Sequence, residues 1–89
     1  MKAIVTVVGK DQVGIIAAVC IKLAEYNVNV LDISQTVMQG YFTMMMVVDV
    51  SQSVYPVVEL AQKLEQRGKE MDLSIRLQRE DIFDAMHKI

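Results

Sequence analysis

The chain has 89 residues, of which 53% are hydrophobic, 22% charged and 6% aromatic. At ~100–200 residues per domain that is a single domain, residues 1–89, with no room for a second core. Nine Lys and Arg against eleven Asp and Glu leave a net charge of −2, which excludes the basic footprint of a direct nucleic-acid binder. Seven Met, two Phe and no Trp make an aliphatic core. A chain this short buries only ~60–65% of its unfolded surface, so association between copies adds what one core lacks. The single Cys20 has no partner for an internal disulfide, which points to a reducing compartment, by default the cytoplasm. The apolar run Ala3-Ile4-Val5-Thr6-Val7-Val8 is much shorter than the ~20 residues of a membrane span and has no small-residue cleavage site. Neither a membrane partner nor an export signal is expected.

Lys2 to Val8 is apolar and β-branched on both parities and stops at Gly9, the pattern of a central strand covered on both sides. In Gly9-Lys10-Asp11-Gln12-Val13-Gly14, Asp11 is placed as an N-cap. Ile16, Cys20, Leu23 and Asn27 follow as one helical stripe, widened by Val19 and Ala24 and backed by Lys22 and Glu25. This predicts an amphipathic helix that ends at Tyr26-Asn27. Val28 to Gln39 is strand-like, but Val28 and Val30 share one parity while Leu31, Ile33 and Val37 take the other; a β-bulge near Leu31 accounts for the change. Gly40-Tyr41 marks a turn. Beyond it Phe42, Met44, Met46, Val48 and Val50 alternate with Tyr41, Thr43, Met45, Val47 and Asp49, which makes a hairpin. Ser51 to Ser53 and Pro56 open a second helix on Val57, Leu60, Ala61 and Leu64, and Gly68 is placed to close it. Leu73, Ile75 and Leu77 then alternate with polar residues, as an edge strand does.

The order β-α-β-β-α-β satisfies the right-handed crossover rule as a split pair of βαβ units. The expected fold is α+β, a ferredoxin-like sandwich over a core of residues 1–79. Strands one and three lie in the middle, and both helices cover one sheet face. Residues 81–89 follow as a short C-terminal helix, with Ile82, Phe83, Met86 and Ile89 at helical spacing. At ~9 residues it is too short to stand alone, and the open sheet face is its expected dock. On that face the central strands still present apolar side chains, one alternate set from Ala3, Val5 and Val7 or Ile4 and Val8, with Met45 and Val47. Strands two and four have unpaired edges. Apolar patch and open ladder together predict a homodimer, by edge-to-edge pairing or by face-to-face stacking.

The loop from Gly9 to Gly14 joins a strand end to a helix start, where free N–H groups and the helix dipole favour a carboxylate or other anion. The same residues also serve structure alone, Asp11 as a cap and Gly14 for close packing of helix and sheet. Asn29 starts the second strand and is expected at the same sheet end, where its amide meets a ligand's polar groups; it serves equally as a turn residue. Cys20 reads as a small buried hydrophobe, and His87, the only histidine, as a surface helix residue. Strand alternation sends Met44 and Met46 to one face and Met45 to the other. Glu80, Asp81 and Asp84 sit where the dipole of a helix start favours acids. No catalytic group, metal site or cofactor is expected.

Gly9-Lys10-Asp11-Gln12-Val13-Gly14-Ile15-Ile16, with Leu23-Ala24 and Asn29-Val30-Leu31-Asp32-Ile33, resembles the ACT domain, the small βαββαβ module that regulates amino-acid metabolism. Gly40-Tyr41-Phe42-Thr43-Met44 and the ending Asp81 to Ile89 further resemble stand-alone single ACT-domain proteins. These are similar to the ACT domains of the glycine cleavage system transcriptional repressor. The resemblance implies a non-enzymatic, allosteric regulatory module without an attached DNA-binding motif, and a metabolic enzyme or regulator as candidate recipient of its signal. It implies a small effector, an amino acid, between two subunits, held by Asp11, Val13, Gly14 and Ile15 of the loop and by Asn29 and Val30 of the second strand. The family's loop often carries Arg-Pro where this chain has Gln12-Val13. Two other readings are a bare oligomerisation module, without small-molecule affinity, and an acylphosphatase-like hydrolase. Acylphosphatases share the fold and cradle phosphate in this loop beside an Arg; this loop has Lys10, no Arg, and an Asp11 that repels a phosphate dianion.

Overall fold

The computed structural model describes residues 1–81. Along the chain come β1 (Lys2–Lys10), α1 (Ile15–Glu25), β2 (Asn29–Met38), β3 (Tyr41–Asp49), α2 (Val57–Glu70) and β4 (Leu73–Arg79). The strands form one four-stranded sheet in the order β2-β3-β1-β4, with every neighbouring pair antiparallel. This is the α+β, ferredoxin-like sandwich that the β-α-β-β-α-β order demands, with β1 and β3 in the middle. The expected helix 81–89 lies outside the described residues, save for Asp81.

Side-chain parity divides the sheet. Ala3, Val5 and Val7 of β1, Phe42, Met44, Met46 and Val48 of β3, and Leu73, Ile75 and Leu77 of β4 form one buried cluster with Ile15, Val19 and Leu23 of α1 and Leu60 and Leu64 of α2. Both helices therefore cover the same face. Ile4, Thr6 and Val8 point to the other face, in register with Val47, Met45 and Thr43. There Val8 and Met45 remain exposed while Ile4 is buried. The three consecutive methionines split as alternation requires, with Met44 and Met46 in the core and Met45 outside.

The hairpin between β2 and β3 turns on Gln39 and Gly40, at φ 52° and 82°, the two positive values of a type I′ turn. Near the start of β2 the register slips between Val30 and Asp32. That slip is the expected bulge, and it keeps Val30 and Ile33 both on the helix-bearing face opposite Val48 and Met46. α1 ends as expected, with Tyr26 as its C-cap and Asn27 in the left-handed region at φ 59°. Its buried stripe runs through Ile15, Val19 and Leu23. Ile16 and Cys20 flank that stripe, half-buried, and Ala24 is exposed.

Two expected end signals are corrected. Asp11 does not cap α1: Gly14 occupies the N-cap at φ 86°, with no side-chain cap bond, and the Asp11 N–H donates to the Gly40 carbonyl at 2.8 Å. The intervening residues carry Asp11 too far back along the chain to reach the first turn. Gly68 does not close α2 either. It is buried inside the helix, whose C-cap is Met71, and the left-handed residue after it is Asp72, at φ 60°. A Cβ on Gly68 would sit 2.7 Å from the Leu73 carbonyl oxygen and 3.0 Å from Ile75 Cγ1. Glycine is there because α2 lies almost in contact with the β4 backbone.

Candidate functional site

The loop from Asp11 to Gly14 is tied at two points. Besides the Asp11 to Gly40 bond, Gln12 Nε2 donates to the Met71 carbonyl at 3.1 Å, so the β1–α1 loop is bound to the β2–β3 turn and to the α2–β4 turn. Gly14 adopts its positive φ with open space about its α-carbon, and its carbonyl accepts the Ala18 N–H at 2.9 Å. With no capping side chain and no acid in the first turn of α1, the leading N–H groups are left to solvent or to a ligand. Val13 stands fully in solvent, whereas Ile15 is buried in the core and offers a ligand only its backbone.

Asn29 is not at this end of the sheet. β1 and β2 are each antiparallel to β3 and so parallel to each other, as a right-handed crossover requires; Asn29 pairs with Asp49, which pairs with Lys2. From Lys2 to Lys10 is eight steps along β1, roughly 27 Å at about 3.4 Å per residue. Within one chain the six candidates thus fall into two groups: Asp11, Val13, Gly14 and Ile15 at one end, Asn29 and Val30 at the other. Val30 turns its side chain toward the core, so it too presents only backbone.

Around Asn29 the structure assembles polar groups that chain spacing did not reveal. A cavity of about 410 Å³ is lined by Ala24, Asn27, Val28, Asn29, Asp49 and Gln52. Asn27 Nδ2 donates to the Gln52 carbonyl at 2.8 Å, and the Val54 N–H donates to the Tyr26 carbonyl at 3.0 Å. Tyr26 and Tyr55 meet edge to face with centroids 5.4 Å apart. These contacts lock the α1–β2 connection to the β3–α2 connection and hold the cavity's walls. Asp49 Oδ1 accepts from the Ser51 N–H at 2.9 Å and from the Ser51 hydroxyl at 2.6 Å. The Met1 ammonium contacts both Ser51 Oγ and Asp49 Oδ1, the latter at 3.4 Å. The Ser51 hydroxyl, then the Ser51 N–H, and more weakly that ammonium lower the Asp49 carboxyl to about 2. The sequence signal for Asp49 is faint but present: it is the one charged residue in the alternation of β3.

Comparison with known proteins places the chain in a family. The ACT domain family profile matches residues 2–78. The chain belongs to the ACT domain family. A UPF0237 protein from Listeria innocua is 53% identical over 89 residues, covering 100% of both chains. The solved structure of an ACT domain protein from Streptococcus pneumoniae superposes with a TM-score of 0.83 at 46% identity, over 94% of each chain. A structure described as a glycine cleavage system transcriptional repressor shares the fold, at a TM-score of 0.74 and 24% identity, over 88% of this chain and 44% of that one. ACT domains are regulatory ligand-binding modules, and this one carries its free helix start and its polar cavity at opposite ends of the sheet.

Proposed function

We propose that this ACT domain is a non-enzymatic regulatory module that binds a small effector, an amino acid, between two copies of itself. The observation that carries the reading is the separation of the two half-sites in one chain, combined with the open edge of β2. Two β2 edges paired about a two-fold axis run antiparallel. The Asn29 end of one sheet then falls beside the Asp11 to Ile15 end of the other, and each effector site draws on both chains.

The surface around that edge favours edge pairing over face-to-face stacking. Ile33 and Val37 lie on the helix-bearing face, opposite Met46 and Phe42, yet they are 39% and 55% exposed. α1 packs beside β2, and its outer flank carries exposed Ala17, Ile21 and Ala24. Its two charged residues, Lys22 and Glu25, pair with each other at 3.2 Å. A helix so apolar on its outer side is built to be covered twice. Edge pairing sets the two α1 helices side by side over one continuous sheet and shields these residues together.

The test is complementation between two variants. Gly14→Asp keeps a residue tolerated at positive φ and favoured at an N-cap while setting a negative charge where a ligand carboxylate would sit. Asn29→Ala removes the amide from the other half. Wild type screened against the twenty amino acids should show a thermal shift with one of them, since a ligand at ~100 times its Kd adds ~2.7 kcal/mol. Each variant alone should lose that shift. Mixed and re-equilibrated, the two should regain part of it, because a mixed dimer has one intact site. Binding that survives in either variant alone, or that never returns on mixing, overturns the shared site.

A further inference from the structure

The cavity beside Asn29 has one formally charged residue in its lining, and that residue is an acid. Asn27, Asn29 and Gln52 are amides, able to donate or accept, and Ala24 and Val28 are apolar. We propose that this cavity takes the ammonium end of the effector, and that Asp49 is the residue that makes the protein select an amine-bearing ligand over a simple carboxylic acid. This rests on the effector reading above and sharpens it by dividing the ligand's two charges between the two half-sites. The carboxylate goes to the uncapped start of one protomer's α1; the ammonium goes to the Asp49 end of the other.

Three features of Asp49 support the assignment. Its Ser51 hydrogen bonds and its Met1 contact all converge on Oδ1, and none uses Oδ2. Those donors hold the carboxyl below its ordinary value, which already leaves it ionised at neutral pH. A cation is already drawn to this carboxylate, the Met1 ammonium at 3.4 Å from Oδ1. A phosphate or dicarboxylate gains amide donors there but is opposed by the Asp49 charge, whereas an ammonium supplies donors to the carboxylate and to the amide oxygens together.

Calorimetry on the whole protein tests this with matched probes: the amino acids that shift wild type, and for each the des-amino acid with the same side chain. Wild type should bind the amino acid at least about tenfold more tightly than its des-amino counterpart, the ratio that one charge-assisted hydrogen bond supplies. Asp49→Asn, which keeps an oxygen acceptor for Ser51, should erase that preference by weakening the amino acid alone. Ser51→Ala, which leaves the carboxylate in place, should retain it, and this variant separates loss of charge from loss of local structure. If amino acid and des-amino acid bind wild type equally, or if Asp49→Asn keeps the preference, Asp49 is not the selector although the effector site stands. If no amino acid binds wild type, the effector reading falls and this inference with it.

Discussion

Gly14 and Gly68 lack a Cβ for opposite reasons. Gly14 needs freedom of φ and has space around it; Gly68 has ordinary helical φ and no space at all. On an exposed helix, Gly→Ala would gain about 1 kcal/mol. At position 68 the added methyl meets the Leu73 carbonyl at 2.7 Å, and such overpacking costs about 1–3 kcal/mol. Gly68→Ala is therefore expected to lower the melting temperature by several degrees, at roughly 4–8 °C per kcal/mol for a domain of this size. A variant that melts higher would mean that α2 does not lie this close to β4. The glycine was visible in the sequence, but its purpose was not, because a helix-closing glycine and a close-approach glycine look alike until the distance to the next element is known. Asp11 posed the same difficulty: it is a residue of the right type near a helix start, and the turns of the intervening loop decide that Gly14 takes the cap.

Among the elements, β2 depends most on a local irregularity. The change of parity between Val30 and Ile33 was legible in the sequence, since no regular strand places Val28, Val30, Ile33 and Val37 on one face. Without the bulge, the residues before Leu31 would exchange faces. Deleting Leu31, the extra residue, is expected to leave Val30 facing the core opposite Val48 and beside Asp32 in a regular ladder, at a cost below the ~2 kcal/mol that turning Val30 outward would bring. Thermal or urea unfolding reads the difference, and a loss above about 2 kcal/mol would show that Val30 had left the core. The end of the sheet at which Asn29 sits was legible too: strand order and crossover handedness imply that β1 and β2 run parallel, so their starts coincide. Residue types near a loop suggested proximity; topology forbids it. Asp49 and Gln52 escaped notice for another reason, because they come to Asn29 through β-pairing and the β3–α2 connection, neither of which leaves a spacing signature.

At the scale of the whole molecule, the contrast between the helices is informative. α2 offers solvent Glu59, Gln62, Glu65, Gln66, Lys69 and Glu70 with one apolar residue, Val58, while α1 offers Ala17, Ile21 and Ala24 with one charged residue, Glu25. Ile21 is 59% exposed, so a charge there costs one chain little. Ile21→Glu is expected to leave the far-ultraviolet circular dichroism unchanged and to shift light scattering from twice the 10.0 kDa chain mass toward the single mass. Wild type already running at the single mass would remove the pairing of α1 flanks and the shared site with it. The fold was readable from alternation and order because every buried stripe recurs at its element's own period. The proposed association surface was less so: an apolar flank on a helix looks the same whether its cover comes from the same chain or from another.

The bonds from Asp11 to Gly40 and from Gln12 to Met71 have a mechanical meaning. They stitch three chain reversals into one plate, so a molecule seated at the start of α1 pulls on the hairpin tip and on the entrance to β4 at once. Such a plate yields as a body, by tilting, with its secondary structure unchanged. On the proposed reading, the expected response to an effector is a change in the angle between two copies, read by distances measured across the two chains while helix and strand content stay the same.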